Sequence, residues 1–288
     1  MNALIICNPR AGRQEGTERV RQAIRVLESA GWSVTVEQSN GPGDATRLAR
    51  FAVTGKLDAV LVAGGDGTLN EAVQGIAGSD TALGTLPYGT VNVWARELAM
   101  PLNPVEAAHA IVDGRIERID LGLTNGRYFM LMTGIGLDGE IVRRAQALKH
   151  HKRRFGILPY VAAVLLTVPR YRGADLELRY DGLIRRVHAV MVIIGNTRLY
   201  GGRFYLTPSA VATDGRLDVC MVKGRGPLAF GRHALPLILA GRLAQGDVEV
   251  LRVRQLEVTA DSPLAVQADG ELIGTTPTTI EIQPRALR

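Results

Sequence analysis

LVAGGDGTLNEAV, residues Leu61–Val73, places an apolar run directly before three glycines and an aspartate, then passes at once into a helical pattern. A strand, a glycine turn and a helix in so short a span form the unit from which parallel sheets are built. The same alternation continues on either side. Ala3–Cys7, Trp32–Glu37, Leu57–Ala63 and Ala82–Leu86 read as strands, and Glu15–Ala30, Asp44–Thr54, Thr68–Ala77, Thr90–Leu98 and Pro104–Asp113 as helices. Residues 1–115 are therefore expected to form a three-layer α/β domain around a parallel sheet.

The texture changes near Arg115. Short strands dominate from there: Ile116–Leu123, Tyr128–Thr133, Asp175–Tyr180, Leu183–Gly195, Gly215–Val222 and Val248–Thr259. Asn125-Gly126 and Asp181-Gly182 are strong hairpin signals, because both residues of a type I′ turn need positive φ. Residues 116–288 are expected to form an antiparallel β-sandwich, interrupted by a mainly helical insert over about residues 138–170. No internal repeat or low-complexity stretch breaks this two-part plan.

The totals remove several classes. Hydrophobic residues are 46% of the chain, enough for a packed core. Cys7 and Cys220 are the only cysteines and lack CxxC spacing, so neither a disulfide framework nor a cysteine-built metal site is expected. The histidines show no HExxH spacing. The N-terminal apolar run, Ala3–Cys7, is too short for a signal-peptide core, and no stretch reaches the ~20 apolar residues of a membrane span. A soluble, cytoplasmic protein is the expectation. The net charge of +6 suits anionic partners without choosing among them. Nucleic acid is not expected, since no aromatic stacking platform accompanies the charge.

A strand that ends in glycines and enters a helix can bring bare backbone N–H groups to a phosphate. Gly64, Gly65 and Gly67 lack blocking side chains, the helix start adds a positive end, and Asp66 could hold Mg²⁺ bridging phosphate oxygens. Thr68-x-x-Glu71 also reads as a capping box, so a purely structural turn stays open. The P-loop pattern is absent. Gly89-Thr90 repeats the geometry after the fourth strand, with Asn92 in the first turn that follows. Asn8, Gly12 and either Arg10 or Arg13 offer donors after the first strand. In a parallel sheet these ends share the edge where ligands bind.

NPRAG (residues 8–12), GGDGTLNE (64–71), LPYGTVN (86–92) and DGE (269–271), in that order, resemble the diacylglycerol kinase catalytic-domain family. That family includes bacterial lipid kinases and sphingosine kinases and is distantly similar to NAD kinases. The resemblance runs over essentially the whole chain. It implies a nucleotide-binding first domain, a lipid-binding β-sandwich second domain, and transfer of the γ-phosphate of ATP to a lipid hydroxyl, with diacylglycerol as the expected acceptor. By motif, Asn8, Gly65, Asp66, Thr68 and Thr90 would line the phosphates, with Gly12, Gly64, Gly67, Gly89 and Asn92 beside them. Glu71 would cap its helix or support the metal. Asp269 would be the general base and Glu271 a neighbour of nucleotide or metal. Asp214 would hold a structural Mg²⁺ with the carbonyls of Val211 and Arg216.

Two departures stand out. Many members carry Asp-Phe after the GTxN block, where this chain has Val93-Trp94. The chain also stops soon after IEIQPRALR, so a segment returning to the first domain is expected to be short or missing. GIGLDG, Gly134–Gly139, formally fits a dinucleotide fingerprint, but the acidic residue about twenty positions on is missing. It reads instead as the family's turn near the lipid cleft. KHHKRR, Lys149–Arg154, followed by FGILPYVAAVLLTVP, reads either as a peripheral, transient membrane contact or as a solvated turn before a buried helix broken by Pro159. Rival functions are a kinase of another lipid alcohol (a sphingoid base, ceramide or phosphatidylglycerol), an NAD kinase, and a non-catalytic nucleotide- or lipid-binding regulator. Oligomeric state stays open, a homodimer included.

Overall fold

The computed structural model describes residues 1–11, 14–151, 158–226, 232, 236–237, 239–241 and 248–288, without the side chains of 14–16 and 149–151. The chain forms two compact units, residues 1–121 with Pro284–Arg288, and Gly122–Gln283.

The first unit runs β1 (Asn2–Cys7), α1 (Gln14–Ser29), β2 (Ser33–Gln38), α2 (Asp44–Thr54), β3 (Ala59–Gly64), α3 (Asp66–Ile76), β4 (Ala82–Pro87), α4 (Val93–Glu97) and α5 (Pro104–Val112). The strands pair in parallel in the order β2-β1-β3-β4, with Ile5 opposite Leu61 and Leu61 opposite Gly84. Every residue of β3 is buried, as a central strand covered on both faces must be. Ile5, Leu61 and Leu86 pack on Val20 and Leu27 of α1 and Ala107 of α5, leaving the opposite face to α2 and α3. This is the expected α/β architecture.

The last five residues also belong to this unit. Leu83 N–H donates to the Arg288 carbonyl at 2.7 Å, Gly78 N–H to the Ala286 carbonyl at 2.7 Å, and Arg285 N–H to Asp120 Oδ1 at 2.7 Å. The returning segment is thus short and present.

The second unit contains β5 (Ile119–Thr124, beginning in the first unit), β6 (Arg127–Phe129), β7 (Met132–Gly136), α6 (Leu137–His151), α7 (Leu158–Thr167), β8 (Ala174–Tyr180) and β9 (Leu183–Gly195). It continues with β10 (Leu199–Tyr200), β11 (Phe204–Tyr205), β12 (Leu217–Lys223), β13 (Val248–Val253), β14 (Gln255–Ala260), β15 (Ala265–Ala268), β16 (Glu271–Thr275) and β17 (Thr278–Leu287). The main sheet runs β16-β15-β7-β9-β8-β14-β17-β5-β6, with β12 on β9 and β13 on β12. The long β9 pairs with β8 over its first half and with β7 and β12 over its second, which folds the sheet over a shared core of Phe129, Ile135, Val192, Val219, Leu256 and Ile280. This is the expected antiparallel sandwich with a helical insert.

Three two-residue turns, Asn125-Gly126, Asp181-Gly182 and Asp269-Gly270, have positive φ at both positions. Val248–Thr259 is two strands rather than one, because β13 pairs with β12 while β14 pairs with β8 and β17. GIGLDG does join a strand to a helix, but its glycines face protein. A Cβ on Gly134 would lie 1.7 Å from Asp138 Oδ2, and one on Gly139 2.2 Å from the Ala265 carbonyl oxygen. The motif makes room for the buried Asp138 and leaves no bare backbone for a pyrophosphate.

Candidate active site

In the first unit the loops after β1, β3 and β4 are tied to one another. Asn8 Nδ2 donates to Thr68 Oγ1 at 2.8 Å, and Asn8 Oδ1 accepts Arg10 N–H at 3.0 Å. Tyr88 N–H donates to the Gly64 carbonyl at 3.0 Å. Gly89 and Asn92 close the β4 loop on itself, the amide of Asn92 accepting Gly89 N–H and donating to the Gly89 carbonyl, both at 3.0 Å. Gly65 and Gly89 touch, since a Cβ on Gly89 would fall 2.5 Å from Gly65 Cα. The structure thus gathers Asn8, Gly64, Gly65, Thr68, Gly89 and Asn92 at one sheet edge, with Thr90 exposed beside them. Gly12 and Arg13 lie outside the described residues.

Asp66 and Glu71 have roles that the motif alone does not convey. Asp66 Oδ1 accepts Trp94 N–H at 3.3 Å, and the backbone N–H groups of Asn92 and Val93 also face this carboxyl. Burial nevertheless pushes it above the usual carboxylate range, the desolvation outweighing those donors. Asp66 therefore bridges the β3 and β4 loops through backbone. Val93 and Trp94 are buried, so no acidic side chain stands at the departure from the family pattern. The capping box is not formed. Gly65 is the N-cap of α3, the helix starts two residues earlier than expected, and Glu71 Oε2 instead accepts Gly43 N–H at 3.0 Å before α2.

In the second unit Asp269 opens the β15–β16 turn with φ 46°. Its Oδ2 accepts Met130 N–H at 2.7 Å, and its Oδ1 accepts Leu131 and Met132 N–H at 3.0 Å each. These donors lie where Tyr128–Thr133, expected as one strand, breaks into β6 and β7. At this break three successive amides leave the ladder and converge on one carboxylate. Glu271 pairs with Arg127, whose guanidinium compensates its charge. A shallow cavity lined by Thr124, Asn125, Glu257, Thr278 and Glu281 lies elsewhere on this unit and holds none of the motif residues.

At the position where a metal is expected, Asp214 and the Val211 carbonyl are engaged by protein donors. Asp214 Oδ1 accepts Arg216 N–H at 3.0 Å, and Oδ2 contacts the guanidinium of Arg252. The Val211 carbonyl already accepts Thr213 N–H at 2.8 Å and Asp214 N–H at 3.2 Å. Arg252 lies directly across the β12–β13 pair from the buried Asp218 and reaches its Oδ1 at 3.1 Å. Among the described residues no cluster of three His, Cys, Asp or Glu could hold a metal. Arg252 thus places a guanidinium between two carboxylates, a positive charge beside the position where the divalent ion was expected. Millimolar Mg²⁺ or EDTA should leave the thermal midpoint of the nucleotide-free protein unchanged, whereas Arg252→Met should lower it by several degrees, because Asp218 then loses its cation. A Mg²⁺-dependent rise in the wild type would refute this account.

Comparison with known proteins bears on both units. The model described as the diacylglycerol kinase catalytic domain matches residues 2–124, and that described as the YegS C-terminal NAD kinase beta sandwich-like domain matches residues 132–288. A diacylglycerol kinase of Mycobacterium tuberculosis (strain H37Rv) is 34% identical over 291 residues, covering 98% of this chain and 93% of that protein. A diacylglycerol kinase of Bacillus subtilis (strain 168) is 29% identical over 278 residues, covering 96% and 91%. Two crystal structures from Bacillus anthracis str. Sterne cover 99% of this chain and 95% of their own. One aligns with TM-score 0.84 and 28% identity; the other, of a diacylglycerol kinase, has TM-score 0.78 and 24% identity, which bears on the fold alone. With both halves matched in order and a relative above 30% identity along nearly its whole length, the chain belongs to the diacylglycerol kinase family and is a lipid kinase.

Proposed function

We propose that this kinase transfers the γ-phosphoryl group of ATP to the free hydroxyl of diacylglycerol, giving phosphatidic acid and ADP. The acceptor is supported by the names of the relatives. The observation that carries the chemistry is Asp269, a carboxylate fixed by three backbone amides at the head of a type I′ turn. Asp269 takes the proton of the lipid hydroxyl as its oxygen attacks the γ-phosphorus, and the bond from that phosphorus to the β–γ bridging oxygen breaks. The amides at the glycine loops of the first unit receive the phosphates, and Asn8 and Thr68 stand beside them. Mg²⁺ arriving with the nucleotide would offset phosphate charge, with Asp66 as the carboxylate on hand in that unit. ADP release should rise with diacylglycerol, and phosphatidic acid should appear in step. Release driven instead by sphingosine, ceramide or phosphatidylglycerol would overturn the acceptor but not the kinase. Nucleotide binding with no lipid-dependent release would favour a regulator.

The lipid must be met at a bilayer, and α7 offers the surface. Leu158, Val161 and Leu165 follow helical spacing and are 57%, 45% and 69% exposed, while Pro159, Ala163 and Thr167 are buried on the other side. Pro159 sits in the first turn, where a missing N–H costs nothing, so it starts the helix rather than breaking it. Arg144 and Arg170 both donate to the Leu166 carbonyl and place positive charge at the end of the stripe. An apolar stripe with a cationic end suits an anionic lipid surface. Of the basic run Lys149–Arg154, residues 152–154 lie outside the described residues and the side chains of 149–151 are not described. No helix among the described residues is long and apolar enough to cross a membrane. The Val161→Glu/Leu165→Glu variant should lose most sedimentation with phosphatidylglycerol-containing vesicles while keeping its thermal midpoint. Unchanged sedimentation would remove α7 from the contact.

A further inference from the structure

We infer that Asp138 and Gln267 are positioning residues for the Asp269-Gly270 turn: Asp138 sets which way round the Gln267 amide lies, and Gln267 holds the turn. The inference rests on the reading of Asp269 as the base. Gln267 and Asp138 are each only 2% exposed. Gln267 Nε2 donates to Asp138 Oδ2 at 2.7 Å, and Gln267 Oε1 accepts Gly270 N–H at 2.8 Å. Residues inside a two-residue turn lie outside the strand ladder, so the Gly270 N–H depends on this side chain for its partner.

The direction of the amide decides the outcome. A primary amide can sit either way round, and only the oxygen end accepts an N–H. Asp138 Oδ2 offers no N–H, so it admits the NH₂ end and turns Oε1 toward Gly270. Asp138 is itself fixed. Tyr200 Oη donates to its other oxygen, and the missing side chain of Gly134, directly across from Gln267 in the β7–β15 pairing, leaves it room. Burial pushes the Asp138 carboxyl up, yet a proton held toward Tyr200 would leave Oδ2 an acceptor, so the amide keeps its direction in either state. Asp269 is thereby held from two sides. The broken strand takes its carboxylate and, through Asp269 N–H to the Met132 carbonyl at 3.0 Å, its backbone; Gln267 takes the next residue. Asp138 touches no reacting atom and acts through Gln267.

The test uses the full-length protein with diacylglycerol in mixed micelles, or whichever lipid of the panel supports ADP release. Gln267→Leu is expected to lower kcat by about 10- to 100-fold, the range in which small misplacements of a reacting group fall, with KM for ATP unchanged. Gln267→Met, closer in volume, carries the same expectation if the leucine variant does not fold. Asp138→Asn can still accept from Gln267 and donate to Tyr200, so it should retain at least about tenfold more kcat than Asp138→Leu. In an Asp269→Asn background Gln267→Leu should have no further effect on kcat, which a merely structural role would not produce. A kcat for Gln267→Leu and Gln267→Met within twofold of wild type, with Asp269→Asn inactive, refutes the relay and leaves the base in place. Near-normal turnover of Asp269→Asn alone removes the base, and the relay falls with it.

Discussion

Asp269→Asn is expected to lower kcat by about 10²–10⁴-fold, the range of a lost general base, while KM for ATP stays within a few-fold of wild type. It should not be a silent replacement in the fold. Asparagine tolerates the left-handed backbone at φ 46°, so the turn survives. Its amide oxygen can keep the two N–H donors of Leu131 and Met132, but its NH₂ group then faces Met130 N–H where Oδ2 had been, 2.7 Å from that nitrogen. Two donors meet, and the unsatisfied pair costs about 1–3 kcal/mol. The thermal midpoint should therefore fall by a few degrees along with the activity. Asp269→Gly suits the backbone and removes the anion without an opposing donor, leaving the three amides to water, so it separates loss of charge from the donor clash. If both variants fall equally in kcat, charge at this position is what the reaction needs. Turnover near wild type in Asp269→Asn removes Asp269 from the chemistry.

Much of this arrangement was legible in the sequence, for identifiable reasons. Period-two and period-3.6 patterns mark strands and helices locally, so β3, α3 and the Asn125-Gly126 and Asp181-Gly182 hairpins could be placed from residues alone. The glycine loops could be placed too, since glycine at a strand end is a visible letter. The illegible parts lie in the backbone and in long-range pairing. The partners of Asp66 and Asp269 are N–H groups of Asn92, Val93, Trp94 and Met130–Met132, and an amide carries no mark in a sequence. Tyr128–Thr133 read as one strand because all its residues suit a strand; only the carboxylate some 140 positions on explains the break. Arg252 reaches Asp214 and Asp218 because β13 pairs with β12 in one register, a fact settled by the whole sheet. Thr68-x-x-Glu71 failed as a capping box for a related reason: Gly43, from another loop, offers Glu71 an N–H.

That leaves the question raised by so many glycines beside one aspartate, and the glycines do not answer it alike. A Cβ on Gly64 would lie 3.0 Å from Thr68 Cβ, one on Gly65 3.3 Å from Gly89 Cα, and one on Gly89 2.5 Å from Gly65 Cα. Those three are explained by protein packing. Gly89→Ala would drive backbone against backbone and part the two loops, so KM for ATP should rise at least about tenfold, with kcat falling as well. Gly67 differs. It is the second residue of α3, and a Cβ there would meet nothing within 4 Å. Alanine at an open helical position is favoured over glycine, by less in this first turn than the ~1 kcal/mol of a helix interior, so packing and propensity together favour a residue this chain does not use. The remaining reason for a bare Cα is something that approaches from outside, and at a helix start beside Gly65 and Asn8 the proposed function expects it to be phosphate. Gly67→Ala is therefore expected to raise the thermal midpoint of the nucleotide-free protein and to weaken ATP binding about tenfold or more. The opposite signs are the signature. A variant more stable and equally tight for ATP would place the phosphates elsewhere, whereas a less stable variant would show a packing role for Gly67 that the open space contradicts.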